Sequence, residues 1–217
     1  MQSESTTMGN EIQDATQEWM PTPLTFKTRY IGPSEDNLTD EQKRIRQNIL
    51  ETRPRTGLSG PFGPWLAVPS IAQPAQQLGQ ACRYHTSLSM RESELIILLT
   101  AAKTRSHAEF DIHVGEAVKA GLSLSIIRAI PRDDDFSAAQ VREWILPLLN
   151  DNRREQAMVV FAAELLDSYS VSDETYELTK RAVDNKDSVL VEITSIVGYY
   201  TFVAYTLNVF RIPSSSS

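Results

Sequence analysis

Residues 108–123 read AEFDIHVGEAVKAGLS, and their spacing decides how this part of the chain folds. At about 100° of rotation per residue, Ser106, Glu109, Phe110, Ala117 and Ala120 fall within about 60° of His113, while Asp111 and Lys119 point the other way. That is the pattern of a helix with a packing face. Glu109 and His113 lie one turn apart on it, so a titratable pair is set among small and aromatic neighbours. Such a pair is either satisfied within the core or forms the floor of a pocket.

Working outward, helical patterns continue on both sides. Ser89 with Glu92 three residues on forms a capping box that opens SMRESELIILLTAAKTR. The apolar run Leu95 to Leu99 exceeds one stripe, so this helix is expected to be largely buried and central. Thr39 with Gln42 forms a second capping box, for a helix over about 40–51. Further helices are expected at 70–85, from Ser123 to before Pro131, and at about 137–149, 151–169, 173–184 and 188–210, with RDDDFS as a solvated turn. Between the first two helices, RPRTGLSGPFGPW reads as a Gly/Pro loop that is neither helix nor central strand, suited to walling a cavity. Alternating strand patterns are almost absent, so the fold class is all-α. A single helical domain is expected over 39–212, preceded by an extended arm over 1–38 and followed by a frayed tail over 213–217. Glu94 and Glu192 each lie about a turn into a long apolar helix after a Ser, a faint echo of a degenerate two-repeat bundle.

Composition narrows the function. The 217 residues, 41% hydrophobic and 23% charged, suit one globular domain. With 21 basic against 28 acidic residues, a net charge of -7 and no dense Lys/Arg stripe, a nucleic-acid partner is not expected. The start is polar and acidic, unlike a secretory signal, and no stretch reads as the roughly 20 apolar residues of a membrane span. A cytoplasmic protein without a membrane partner is therefore expected. The single cysteine, Cys82, cannot form an internal disulfide or a CxxC pair and reads as a buried small residue.

Glu94 shares its helix face with Ile97, Leu98 and Ala101 and has no cation at i+3 or i+4, which makes an unanswered carboxylate expensive. Arg91, an arginine from another helix, or His113 could answer it. If the two helices pack antiparallel, Glu94, Glu109 and His113 converge, and two carboxylates around an imidazole would raise its pKa and fix its tautomer. A metal site is not expected: the histidines are His85, His107 and His113 only, and His107 lies about 120° from His113 around the helix. No GxSxG elbow, P-loop or GxGxxG is present, so nucleotide cofactors are not expected. In the last helix Glu192 shares a face with Ile196, Tyr199, Val203 and Phe210. Tyr199 can hydrogen-bond a ligand oxygen or pack in the core, and Trp65 is an anchor or a substrate contact.

Taken together, GPFGPW, SELIILLTAAKT, AEFDIHVGEAVKAGLS and EITSIVGYYTFVAYTLNVFRIP resemble the carboxymuconolactone decarboxylase family, which also includes alkyl hydroperoxidase D; the resemblance covers about residues 45–212. It implies that family's helical fold, a homo-oligomer (dimer, trimer or hexamer) and sites between helices. Glu94 and His113 fall where the peroxidase branch has its proton-relay pair, while that branch's two redox cysteines fall on Ser106 and Glu109, so thiol peroxide reduction is excluded and the non-redox branch is the better match. Phe110 stands where the family has Trp. The resemblance implies a lyase that needs no cofactor, of the decarboxylase type, acting on a small cyclic or polyketide-derived acid or lactone. His113, Glu94 and Glu109 would be catalytic, with Phe110, Ser106, Trp65, Tyr199 and His107 about the substrate. Isomerisation, dehydration or cyclisation would use the same equipment, and a noncatalytic oligomeric binding protein is the alternative from another class.

Overall fold

The computed structural model describes residues 19–53, 57–150 and 152–214. Within them are ten α-helices and three short 3-10 turns, with no strand among the described residues. The helices are α1 (Asp40–Thr52), α2 (Phe62–Trp65), α3 (Pro69–Tyr84), α4 (Met90–Lys103), α5 (His107–Lys119), α6 (Leu124–Ala129), α7 (Ala138–Trp144), α8 (Arg153–Ser168), α9 (Asp173–Ala182) and α10 (Asp187–Phe210). The chain is all-α.

Helix α4 is the axis of the bundle. Every residue from Glu92 to Ala102 is buried, because α5, α8 and α10 pack around it. Its apolar run is wider than an amphipathic stripe for that reason. Both capping boxes form: Thr39 and Gln42 bond reciprocally at the start of α1, as do Ser89 and Glu92 at the start of α4. Each satisfies backbone N–H groups that a helix start leaves without intrahelical partners. After α4, the three residues Thr104 to Ser106 turn the chain so that α5 folds back along it.

Several boundaries depart from the sequence reading. The expected helix at 137–149 is divided into α7 and a 3-10 turn over Leu146–Leu149, where Pro147 removes a backbone donor. The Gly/Pro stretch is not helix-free. Phe62–Trp65 makes one helical turn, α2, closed by Trp65 N–H to Pro61 O and Leu66 N–H to Phe62 O. Pro61 and Pro64 suit the first turn of a helix, where a missing N–H costs nothing. The start of that Gly/Pro stretch, residues 54–56, falls outside the described residues, as do 1–18 and 215–217, so the readings of the outer arm and the tail end lie there too.

The described part of the arm lies against the body. Trp19 packs on Phe110 with ring centroids 5.7 Å apart, Thr22 N–H donates to Asp111 Oδ2 at 2.7 Å, and Arg29 N–H donates to Phe210 O at 2.9 Å. Gly32 and Gly63 make the closest contact: a Cβ on Gly63 would lie 2.0 Å from Ile31 O, and one on Gly32 would lie 2.4 Å from Gly63 O. Only two residues without side chains allow the arm to meet α2 so tightly.

Helix α10 is 24 residues long and, by length and composition, apolar enough to cross a membrane, contrary to the sequence reading; 56% of its most apolar window is buried inside the fold. It is a core helix with an outer face. Glu94 and Glu192 do not occupy matching environments: Glu94 is buried, whereas Glu192 is half-buried and accepts from the backbone and hydroxyl of Ser87.

Candidate active site

The turn between α4 and α5 brings Glu94 opposite His113. Glu94 Oε2 lies 2.7 Å from His113 Nδ1, and Glu109, one turn back on α5, lies 3.1 Å from His113 Nε2 through Oε1. Both ring nitrogens therefore face carboxylates, the pattern of an imidazolium donating from each side. All three side chains are buried. Burial disfavours the charged ring, but Glu94 and Glu109 outweigh it and push the His113 pKa up to about 9. Burial likewise opposes the Glu94 charge, and His113 and Arg83 together hold its pKa below the ordinary carboxylate range.

Arg83, on α3, is the cation that sequence reasoning did not name. Its Nη1 donates to Glu94 Oε1 at 2.7 Å and its Nη2 reaches Glu116 Oε2 at 3.5 Å. Glu94 is thus shared between a guanidinium and an imidazole. Arg91, the nearer candidate in sequence, pairs instead with Glu155 on α8 at 2.7 Å. The signal for Arg83 lay in α3: Gln76, Gly79 and Arg83 repeat at three- and four-residue spacing, which puts two polar groups and a glycine on one helix face.

A cavity of about 330 Å³ opens beside this cluster, with Arg53, Phe62, Arg83, Glu109, His113 and Tyr199 among its walls. The Gly/Pro segment contributes Ser59 to Phe62 to the lining. Tyr199 enters because α3 gives way to it: a Cβ on Gly79 would lie 2.0 Å from the Tyr199 hydroxyl. Tyr200 stands edge-on to the His113 ring at 5.2 Å between centroids. Burial pushes the pKa of both tyrosines well above the ordinary phenol range. At neutral pH both can donate.

No family model, curated protein or solved structure matches this chain.

Of the residues singled out from sequence, the structure brings Glu94, Glu109, His113 and Tyr199 together. The others lie elsewhere. Phe110 is 1% exposed and packs between Trp19 of the arm and the Arg132 guanidinium, which lies 4.4 Å from its ring centroid. Ser106 is fully buried, and its hydroxyl has no hydrogen-bond partner among the described residues. Trp65 donates from Nε1 to Thr206 Oγ1 at 3.0 Å and stacks on Phe202 at 4.8 Å. It supports Tyr199 edge-on from behind and is not part of the cavity wall. His107 is at the surface, 3.1 Å from Asp133. These four share a helix or a segment with cavity residues, but helix packing turns them away. Cys82 is buried, and burial pushes its thiol pKa up to about 11, which leaves a poor nucleophile.

Among the described residues no group of three or more His, Cys, Asp and Glu side chains is placed to hold a metal ion. The chemistry available to the chain's own residues is proton transfer. Nδ1 is fixed by the shorter contact to Glu94, and Nε2 is the nitrogen whose partner, Glu109, also faces the cavity.

Proposed function

We propose that this cavity is the active site of a lyase of the decarboxylase type that needs no cofactor, acting on a small cyclic or polyketide-derived acid or lactone. The carrying observation is His113 held between Glu94 and Glu109 at the wall of a cavity of about 330 Å³. That volume is at the small end of ligand pockets. Membership of the carboxymuconolactone decarboxylase family is part of the proposal, supported by the quoted motifs and by an all-helical fold.

In this reading an acid conjugated to a carbonyl loses carbon dioxide, and the electron pair of the broken carbon–carbon bond passes to the carbonyl as an enolate. His113, an imidazolium at neutral pH, delivers the Nε2 proton to the carbanionic carbon. Glu94 keeps Nδ1–H in place while the charge on the ring changes, and water then restores the proton. General acid help of this kind contributes about 10²- to 10⁴-fold. Isomerisation, dehydration or cyclisation would use the same proton path on a different substrate.

The test is incubation of the full chain with candidate acids, monitored by mass spectrometry for release of carbon dioxide, beside His113→Gln. Turnover that disappears in the variant while the fold persists supports the proposal. A second reading, a noncatalytic binding protein, is favoured by one observation: Arg83, His113, Glu94 and Glu109 compensate one another's charge without a ligand. That reading expects no turnover of any candidate acid by the unaltered chain.

A cytoplasmic homo-oligomer completes the proposal. Phe202, Tyr205 and Val209 on α10 and Ile71 and Leu78 on α3 are exposed apolar groups on two helices that pack together, and burying them would favour self-association.

A further inference from the structure

Arg53, just after α1, is 6% exposed and lines the cavity, yet its hydrogen bonds go to neutral acceptors. Nη1 donates to Thr52 Oγ1 and to Gln76 Oε1, both at 3.2 Å, and Nη2 donates to Gln76 O at 2.7 Å. Its Cζ lies 4.8 Å from the centroid of Phe62. No carboxylate among the described residues lies within ion-pairing distance. Four other cations that reach into the body are paired: Arg83 has Glu94, Arg91 has Glu155, Arg154 has Glu92 and Lys103 has Asp167. A guanidinium taken out of water without a counter-ion is expensive.

The position is also built. Gln76, which holds two of the Arg53 hydrogen bonds, is itself fully buried and donates to Asn48 Oδ1 at 2.6 Å. The guanidinium is therefore held in one orientation before any ligand arrives. Tyr199 lines the same cavity, and its hydroxyl, seated against Gly79, donates to no described residue. Phe62, Ile112 and Val203 supply apolar wall between these polar groups.

We infer that Arg53 anchors the anionic oxygens of a small carboxylic-acid ligand, with the Tyr199 hydroxyl donating a further hydrogen bond and the ligand body lying against Phe62, Ile112 and Val203. A planar guanidinium fork matches a carboxylate in both charge and shape. The ligand supplies the counter-ion that the described residues do not. The inference deepens the proposed function and rests on its choice of cavity, since it assigns the residue that selects acids and sets their orientation toward His113.

The test uses the full chain with benzoate and its neutral isostere benzamide as probes, followed by calorimetry. Benzoate should bind at least about tenfold more tightly than benzamide, and Arg53→Gln should remove that preference while leaving benzamide binding as it was. Equal binding of the two probes, no binding of either, or a preference that survives in Arg53→Gln overturns the inference. Should Arg53→Gln fail to fold, phenylglyoxal labelling of the unaltered chain replaces it. Benzoate, but not benzamide, should then protect Arg53 from modification as read by mass spectrometry, and unprotected labelling overturns the inference. Benzoate binding retained in His113→Gln separates the two proposals: loss of turnover there concerns the reaction, whereas loss of acid preference in Arg53→Gln concerns the anchor.

Discussion

Raising the pH through the alkaline side of neutrality should destabilise the fold by discharging one ring. The His113 pKa is raised from 6.5 to about 9 by Glu94 and Glu109 against the opposing effect of burial. A group whose folded pKa is raised contributes stability that is complete below its unfolded value and is lost as pH climbs through the folded one. For His113 that window runs from 6.5 to about 9. At about 1.4 kcal/mol per pKa unit, the loss across it is about 3 kcal/mol. With a urea dependence of roughly 2 kcal/mol per molar, the unfolding midpoint should fall by about 1–2 M. The Cys82 thiol, raised from 9.0 to about 11, begins to contribute only where the His113 window ends, and the tyrosines later still. Urea titrations at half-unit intervals, for the unaltered chain and for His113→Gln, isolate the effect. A flat midpoint across the window, or an equal slope in His113→Gln, would refute the charge assignment.

Two further substitutions probe the same cluster from different sides. Glu94→Gln leaves half-buried Arg83 and buried His113 as neighbouring cations without their shared anion; it should cost about 3–5 kcal/mol at neutral pH and lower the His113 pKa, measured by denaturation and by NMR titration of the ring. Ser106→Ala removes a buried hydroxyl that has no partner among the described residues, so stability should hold or rise by about 1 kcal/mol and ligand binding should be unaffected; a loss of binding would return Ser106 to the site.

What could be read from sequence was local. The two capping boxes are complete within four residues, and the width of the apolar run in α4 signalled burial on all sides. The meeting of Glu94 with His113 followed from helical spacing and a short connection. Arg83 was harder, because its approach to Glu94 depends on how α3 reverses into α4, and no periodicity reports the angle of a turn. Phe110 shows the opposite failure. It lies on the same broad helix face as His113, but Trp19 and Arg132 claim it from segments remote in sequence. Helical phase fixes which side chains are neighbours around an axis, whereas the choice of which neighbour meets empty space belongs to the surrounding elements. FGPW departs from the sequence reading because glycine and proline usually end helices, yet prolines in a first turn are tolerated.

The interlocked backbones of Gly32 and Gly63 change what trimming this protein would mean. The strut that begins near Trp19 braces the short turn whose Pro61 and Phe62 roof the chamber. Shortening the chain to residue 39, as one would to obtain a tidy helical core, would remove a buttress and loosen the ceiling over Arg53 and His113.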